Sequence, residues 1–580
     1  MILKYMSRKD WFLSGILAAI IVFQVYLDLR IPEYMNDITN SIQQGLPTDV
    51  VSQAGIGMIT CAMVSLCVSV VAGVLAARIA TSLSRTLRKL QFDRVQTYSK
   101  QDLDGFSIPS LVTRSTNDVY NLQQFIARAL IIVVKAPVMG VWAVTKISGA
   151  AFDWTAVTVV TLVLVFIFIV WLTRMSIPYM RRIQILTDGV NRHTRENVEG
   201  MRVIRAYNAQ EMQSGKLEDA SDDVLRNNIT VAKIMSPMHP VASSSINFLT
   251  LAIYWLGAGI IMSTPGQLDQ MYLFSDMIVF SSYASQTIVA VMMFTGIIRG
   301  LPRAMVSAKR VEEVIDHETS LRDGARDDVP VQGRVEFRDV SFGYPGSDGE
   351  VLSGISFTAE PGQTVAIVGP TGSGKSSLVN LIPRLYDATG GSVLVDGVDV
   401  REYRQSSLRG RIGYVPQTTV IFTGSIAENV NYGQGSETRT EDDVRRALDV
   451  AQATDFIDSL PEGIEFKMSK HGRNVSGGQK QRISIARAVC KSPKIYIFDD
   501  SFSALDFKTD RDLRTALREE TDGSTVIMVA QRIGTVMEAD RIIVLDEGRI
   551  VGDGTHESLM RDCELYRDMA ESQMGAVRWR

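Results

Sequence analysis

Hydrophobic positions gather into long unbroken runs in the first half of the chain and into short runs, broken by turns, in the second. Crossing the hydrocarbon core of a bilayer as a helix takes roughly 20 mainly apolar residues. Six runs meet that length, at about 11–29, 53–77, 129–149, 154–174, 243–263 and 272–298. The stretches between the second and third runs and between the fourth and fifth are long, polar and helical in pattern. They carry Arg78, Arg85, Arg88, Lys89, Arg94, Lys100 and Arg114, then Arg181, Arg182, Arg192, Arg195, Arg202 and Arg205. The opposite connections are short and poor in basic residues; 263–270 (STPGQLDQ) has neither Lys nor Arg. Basic loops stay on the cytoplasmic side, so the pattern predicts six membrane-spanning helices with both termini and both long loops in the cytoplasm.

The pattern changes after a charged linker at 316–332. The stretch RVEFRDVSFGYPG alternates like an edge strand pair. The stretch QTVAIVGPTGSGKSSLVNLI then reads as an apolar strand, a glycine-rich turn and an amphipathic helix. The chain's 580 residues exceed what one core holds. They divide into a membrane domain (1–315), the linker, and a soluble α/β domain (333–580).

Composition narrows the reading. A net charge of −4 carries no nucleic-acid footprint. Cys61, Cys67, Cys490 and Cys563 lack metal-ligand spacing and read as reduced thiols. The first apolar run is too long for a cleavable signal peptide and lacks a small-residue cleavage site. Polar residues inside spans are costly. Lys135 interrupts IIVVKAPVMG; either it snorkels to the inner interface or it lines a translocation cavity. Ser282, Ser285, Gln286 and Met293 share helical spacing in the sixth run, with Asp276 nearer its outer end. Such residues also pack helices, so no substrate contact is assigned to them.

The candidate chemistry lies in the α/β half. Gly369, Pro370, Thr371, Gly372, Ser373, Gly374, Lys375 and Ser376 fit G-x-x-x-x-G-K-[ST] between a strand and a helix. In such a loop the backbone N–H groups close on phosphate, aided by the helix dipole. Lys375 is placed to reach the terminal phosphates and the Ser376 hydroxyl to coordinate Mg²⁺. The apolar run ending at Asp499 reads as a buried strand closing on a metal-associated carboxylate. Asp500 then stands where many ATP-hydrolysing enzymes place glutamate. At 526–536, VIMVAQRIGTV puts Gln531 where a histidine is expected.

The stretch NVSGGQKQRISIARAV (474–489) resembles the LSGGQ signature of ABC ATPases, with Val475 for the leucine. With six preceding spans, the chain resembles an ABC exporter half-transporter of the multidrug and lipid-flippase type along nearly its whole length. ENVEGMRVIRAYNAQE (196–211) resembles that family's second intracellular loop, RAMVSAKRVEEVID (303–316) its exit from span six, and TGSIAENVNYG (423–433) the segment after its Q-loop. The resemblance implies a type IV ABC exporter fold: a six-helix transmembrane domain with long cytoplasmic helical extensions, then an α/β P-loop nucleotide-binding domain. It further implies that Tyr344 stacks on adenine and that Gly369 to Ser377, Gln417 and Asp499 bind nucleotide. Mg²⁺ would be held by Ser376, Gln417 and, through water, Asp499. Ser476, Gly477, Gly478 and Gln479 would clasp the γ-phosphate of a nucleotide on the other subunit. Ser503, Ala504, Leu505 and Asp506 would form the D-loop.

Two positions depart from the family pattern together: Asp500 for the glutamate base and Gln531 for the switch histidine. Aspartate withdraws the carboxylate by ~1.5 Å, and a misplacement of about 1 Å costs on the order of a hundredfold in rate. Glutamine can hydrogen-bond the γ-phosphate but cannot titrate near neutrality. A third departure, SKHGRN with Lys470 and His471, replaces an acidic stretch before the signature, so that stretch's loop contacts are not carried over. An intact phosphate loop and signature beside weakened water-activating groups suit one subunit of a heterodimeric exporter in a bacterial plasma membrane. Its expected partners are a homologous half-transporter, the lipid bilayer and a transported substrate, with ATP and Mg²⁺ as cofactors and no nucleic acid. A slow homodimeric exporter and an ATP-gated channel or regulatory subunit are the alternatives. An importer fits least. No peptidase domain precedes the first span, which disfavours a leader-processing exporter. Drug, lipid, peptide and siderophore substrates all remain open.

Overall fold

A computed structural model of the chain describes residues 2–147, 152–347, 349–433 and 439–575. By backbone proximity they form two compact units, Met1–Gln96 with Ile108–His317, and Thr97–Ser107 with Glu318–Arg580.

The first unit is helical. α1 (Arg8–Gln43) packs on α2 (Thr48–Gln96). α4 (Ile108–Thr113) leads through a π-turn at Arg114–Asp118 into α5 (Val119–Ile147), which packs on the last helix, α10 (Gln267–Asp316). α6 (Phe152–Glu199) runs alongside α8 (Gln210–Met235) and α9 (Met238–Ser263), after the short α7 (Met201–Ala206). Among the described residues six helical segments are long and apolar enough to cross a membrane; five contain one of the apolar runs whole, and Ile108–Ile147 contains 129–147 of the third. Positions 148–149, at the end of the third run, lie outside the described residues. Several helices extend well beyond their apolar runs, as the polar helical stretches predict. Large apolar side chains such as Phe12, Ile59, Leu66, Phe166 and Trp255 are exposed along the spans. A surface of that kind is stable against lipid rather than water.

Lys135 does not behave as a snorkelling lysine. Its Nζ lies 3.1 Å from Asp28 Oδ2, and its side chain is only 16% exposed. Asp28 also accepts from Ser65 Oγ at 2.5 Å. A charge in a span is held by a partner on another helix, here joining α1, α2 and α5.

The second unit is α/β. A four-stranded sheet has the order β2-β1-β4-β5, with β1 Val335–Phe342, β2 Leu352–Ala359, β4 Gly390–Val395 and β5 Val398–Asp399. The stretch expected to form an edge strand pair is therefore one strand with neighbours on both sides. Its alternation reflects two faces of unequal burial, which edge and inner antiparallel strands share. Near the GYPG end the chain turns toward β2.

The larger sheet has the order β12-β11-β3-β10-β9-β6 and is parallel except for β12. Its strands are β3 Thr364–Val368, β6 Ile412–Val415, β9 Ile495–Asp499, β10 Thr525–Val529, β11 Arg541–Asp546 and β12 Arg549–Gly554. A two-stranded ribbon, β7 (Gly424–Ser425) and β8 (Lys467–Met468), accompanies it. β3 and β9 are almost wholly buried, as near-continuous apolar runs in parallel sheets are. Register sets Val529 of β10 beside Asp499 of β9 and Ile367 of β3. The carboxyl ends of three strands therefore share one edge, where ligands of open α/β sheets bind.

The short helix α3 (Lys100–Phe106) belongs to this second unit although it lies between α2 and α4 in sequence. The Asp102 carboxylate accepts from Ser99 N, Thr319 Oγ1 and Ser320 N, at 2.9, 3.0 and 3.1 Å. Tyr386 Oη reaches Asp104 at 3.4 Å. This seating was not legible in the sequence, because its partners lie more than two hundred residues away.

Candidate nucleotide site

The loop after β3 is shaped by its glycines. Gly374 starts the following helix (Lys375–Leu381) at φ +96, a conformation that side chains disfavour. A Cβ at Gly369 would strike the Leu545 carbonyl. The backbone can close tightly only because neither carries a side chain. Lys375 is buried; its Nζ donates to the carbonyls of Gly369 at 2.8 Å and Pro370 at 2.7 Å. Burial pushes its pKa below the ordinary lysine range, and Asp500 and Asp499 oppose that shift. The ammonium thus sits across the loop mouth, where an anion can exchange for carbonyl partners. Ser377 Oγ hydrogen-bonds Tyr344 Oη at 2.9 Å. That contact holds the Tyr344 ring beside the loop helix, edge-on to Phe342 and Tyr386.

Ser376 Oγ donates to Asp499 Oδ1 at 2.9 Å. Burial raises the Asp499 pKa, with the Ser376 hydrogen bond opposing and the Asp500 charge adding to it. A hydroxyl and a buried carboxylate converging at a phosphate loop are the oxygen donors Mg²⁺ takes, so the residues present fit that ion.

Asp500 follows at φ +47 and donates its backbone N–H to Val529 O at 3.0 Å. Its carboxylate is shared. Oδ2 accepts from Gln531 Nε2 at 2.9 Å and from Gln417 Nε2 at 3.4 Å. Burial raises the Asp500 pKa, and the Gln417 and Ser503 hydrogen bonds oppose the shift. Asp500 and Gln531, each just beyond the end of one of two strands paired in parallel, are thus in direct contact.

Ser476 caps the signature helix (Gly477–Cys490) in a reciprocal box with Gln479: Gln479 N donates to Ser476 Oγ at 3.3 Å, and Ser476 N to Gln479 Oε1 at 2.8 Å. A Cβ on Gly477 would meet nothing within 4 Å, whereas one on Gly478 would lie 3.2 Å from Ala504 O. Gly478 thus packs near the Ser503–Asp506 segment. There Leu505 is buried, Ser503 Oγ donates to Asp500 O, and Asp506 caps the next helix by accepting from Thr509 N at 3.0 Å. The structure therefore gathers Lys375, Ser376, Asp499, Asp500, Gln417 and Gln531 at one sheet edge. The signature begins its own helix, beside the Ser503–Asp506 segment. The His471 side chain lies outside the described residues.

A six-span membrane unit and a phosphate-loop α/β unit on one chain define a membrane transport ATPase. Residues 14–291 match the ABC transporter transmembrane region family and residues 352–503 the ABC transporter family. An uncharacterised ABC transporter ATP-binding protein of Mycobacterium tuberculosis is 40% identical over 505 residues, 86% of this chain and 85% of that one. A Bacillus subtilis counterpart is 34% identical over 500 residues, 86% of each chain. The ATP-dependent lipid A-core flippase of Pseudomonas aeruginosa is 30% identical over 488 residues, 83% of this chain and 79% of that one. The fold matches a bacterial Atm1-family ABC exporter with ATP bound, at TM-score 0.82, 22% identity and 98% coverage of each chain. The chain belongs to the ABC transporter family and is built as an exporter half-transporter, a multi-pass membrane protein with a fused ABC ATPase domain.

Proposed function

We propose that this chain is one subunit of a heterodimeric exporter of a bacterial plasma membrane, with its nucleotide unit in the cytoplasm. It binds Mg-ATP at a site that hydrolyses slowly and lends an intact signature to the partner's competent site. The observation that carries this reading is the Gln531–Asp500 hydrogen bond of 2.9 Å. A short carboxylate already accepting from two carboxamides is poorly placed to take a proton from water. The phosphate loop is unaffected by either departure, and phosphate binding needs no base. Lys375 and the loop backbone hold the phosphates, and Tyr344 the adenine. Ser376 and Asp499, with Gln417, hold Mg²⁺, which neutralises charge on the β- and γ-phosphate oxygens.

α7 supports the partner assignment. Val203 and Tyr207, at and just beyond it, are 60% and 80% exposed. Apolar groups this bare on a short cytoplasmic helix suit docking on a second subunit. α3, seated in the nucleotide unit, joins α2 to α4, so its movement reaches two helices through the chain itself. The exported substrate is a small molecule, drug, lipid or peptide; relatives named lipid A-core flippases favour the lipid class.

The test is steady-state ATPase of the purified chain with and without a homologous half-transporter carrying glutamate and histidine at the two positions. Little turnover alone and full turnover in the pair is expected. Turnover by this chain alone at the rate of a two-site exporter would establish a homodimer instead.

A further inference from the structure

The segment carrying Gln531 is held by a group that none of the nucleotide-site motifs includes. The C-terminal helix Glu564–Gly575 lies against the core beneath that segment. Tyr566 and Ala570 are fully buried there, in one cluster with Ala530, Ile533 and Val536. Gln573 continues the same face, since residues i, i+4 and i+7 of a helix line one side. At this position the face turns polar. Gln573 Nε2 donates to Gln531 O at 2.9 Å, and Gln573 Oε1 accepts from Ile533 N at 2.7 Å. The carbonyl requires a donor and the N–H an acceptor, so only one orientation of the carboxamide satisfies both. One side chain thus brackets the residues on either side of Arg532. Two weaker supports flank it: Arg532 reaches Ser503 O at 3.3 Å, and Arg514 reaches the carbonyls of Gly534 and Thr535, each at 3.4 Å.

We propose that Gln573 is a positioning residue: its carboxamide fixes the backbone of Gln531–Ile533 and so aims the Gln531 side chain at the Asp500 carboxylate and the γ-phosphate position. The far end of the chain thereby sets the geometry of the nucleotide site. This rests on the reading of Gln531 as the switch residue that senses the γ-phosphate.

The test uses the full chain in its native assembly in lipid nanodiscs. Mg-8-azido-ATP labels this chain, its band is resolved from any partner, and ATP or ADP competes. Gln573→Met keeps the length and apolar stem and removes both hydrogen bonds. It is expected to weaken competition by ATP about fivefold, the worth of roughly one net hydrogen bond, and to leave competition by ADP unchanged. Gln531→Ala should do the same, and the double variant should be no worse than either single. Gln573→Glu keeps the acceptor for Ile533 N–H but donates to the Gln531 carbonyl only when protonated. An ordinary glutamate titrates near about 4.3, so at pH 7 the donor is lost and the acceptor kept, and the ATP preference should fall below that of the wild type. Equal loss for ATP and ADP would mark mere loosening of the fold and overturn the proposal. So would additive singles, or a wild-type ratio in Gln573→Met while Gln531→Ala loses it. A wild-type ratio in both singles would overturn it together with the switch reading.

Discussion

Two corners of the nucleotide unit stand side by side and are built on opposite principles. The phosphate loop is made of consecutive residues, buried and shaped by backbone: Gly369, Gly374 and Lys375 lie within seven positions. The Asp500 corner is made of side chains from three separate segments, Gln417, Asp500 and Gln531, at the more exposed edge of the sheet. A local backbone device survives changes elsewhere. A constellation of side-chain tips changes with one methylene. Holding ATP and cleaving it can therefore be separated by substitution, and the proposed function places the substitutions of this chain in the second corner alone.

The largest effect should come from the signature. Gly477→Glu has open space for its Cβ, which would meet nothing within 4 Å. In the assembled dimer the carboxylate would face phosphate oxygens in a desolvated interface, where like charges repel by several kcal/mol at any plausible effective dielectric. ATPase of the complex should fall by about a hundredfold or more, with normal assembly and melting temperature. Lys375→Ala should slow the cycle less if, as proposed, this chain's own phosphate loop serves the slowly hydrolysing site. If Lys375→Ala proves the more damaging, the comparison is inverted and this chain holds the active site.

Next comes restoration of the second corner. Asp500→Glu with Gln531→His, in a complex whose partner base is disabled, should raise phosphate release by about tenfold, part of the hundredfold that 1 Å of misplacement costs. No gain would show that the limit lies outside these two side chains.

Asp499→Asn separates folding from ligand holding. Burial pushes this carboxyl above its ordinary range, so at neutral pH its ionised form opposes the fold. Its stabilising contribution is present below the unfolded value of about 4 and is lost as pH rises through the raised folded value. Nucleotide-free Asp499→Asn should therefore melt a few degrees higher at pH 7. It should also lose the Mg²⁺-dependent rise in melting temperature on adding ATP. A lower melting temperature without nucleotide would contradict the burial argument.

The smallest effect is expected in the membrane unit. Asp28→Leu leaves the Lys135 ammonium without its carboxylate and should lower the melting temperature in detergent by a few degrees. Asp28→Leu with Lys135→Leu should recover most of that loss, because a paired charge is costly mainly when one member is removed. Equal loss in both variants would mean that the pair matters for more than charge balance.

Six spans, the phosphate loop, the buried strand into Asp499 and the signature helix were all legible in the sequence. Each depends on neighbours within one helix or one strand-turn-helix: apolar run length, glycine placement, or the Ser476–Gln479 cap. The alternation of the first strand suggests an edge pair, yet it has neighbours on both sides, because alternation reports burial of faces and says nothing of how many neighbours a strand has. The pairing of Lys135 with Asp28, and of α3 with Thr319, Ser320 and Tyr386, leaves no trace in the sequence, because no periodicity links residues so far apart.

Hydropathy and turn chemistry act over a few residues, so the six apolar segments and the glycine-rich loop before Lys375 could be marked from sequence, and Asp500 and Gln531 singled out. Contacts between distant segments emerge with the fold: those two residues touch each other, Asp28 pairs with Lys135, and Gln573 grips the backbone beside Gln531. Such pairings are set by strand register and helix packing, and those are cooperative properties of the whole fold.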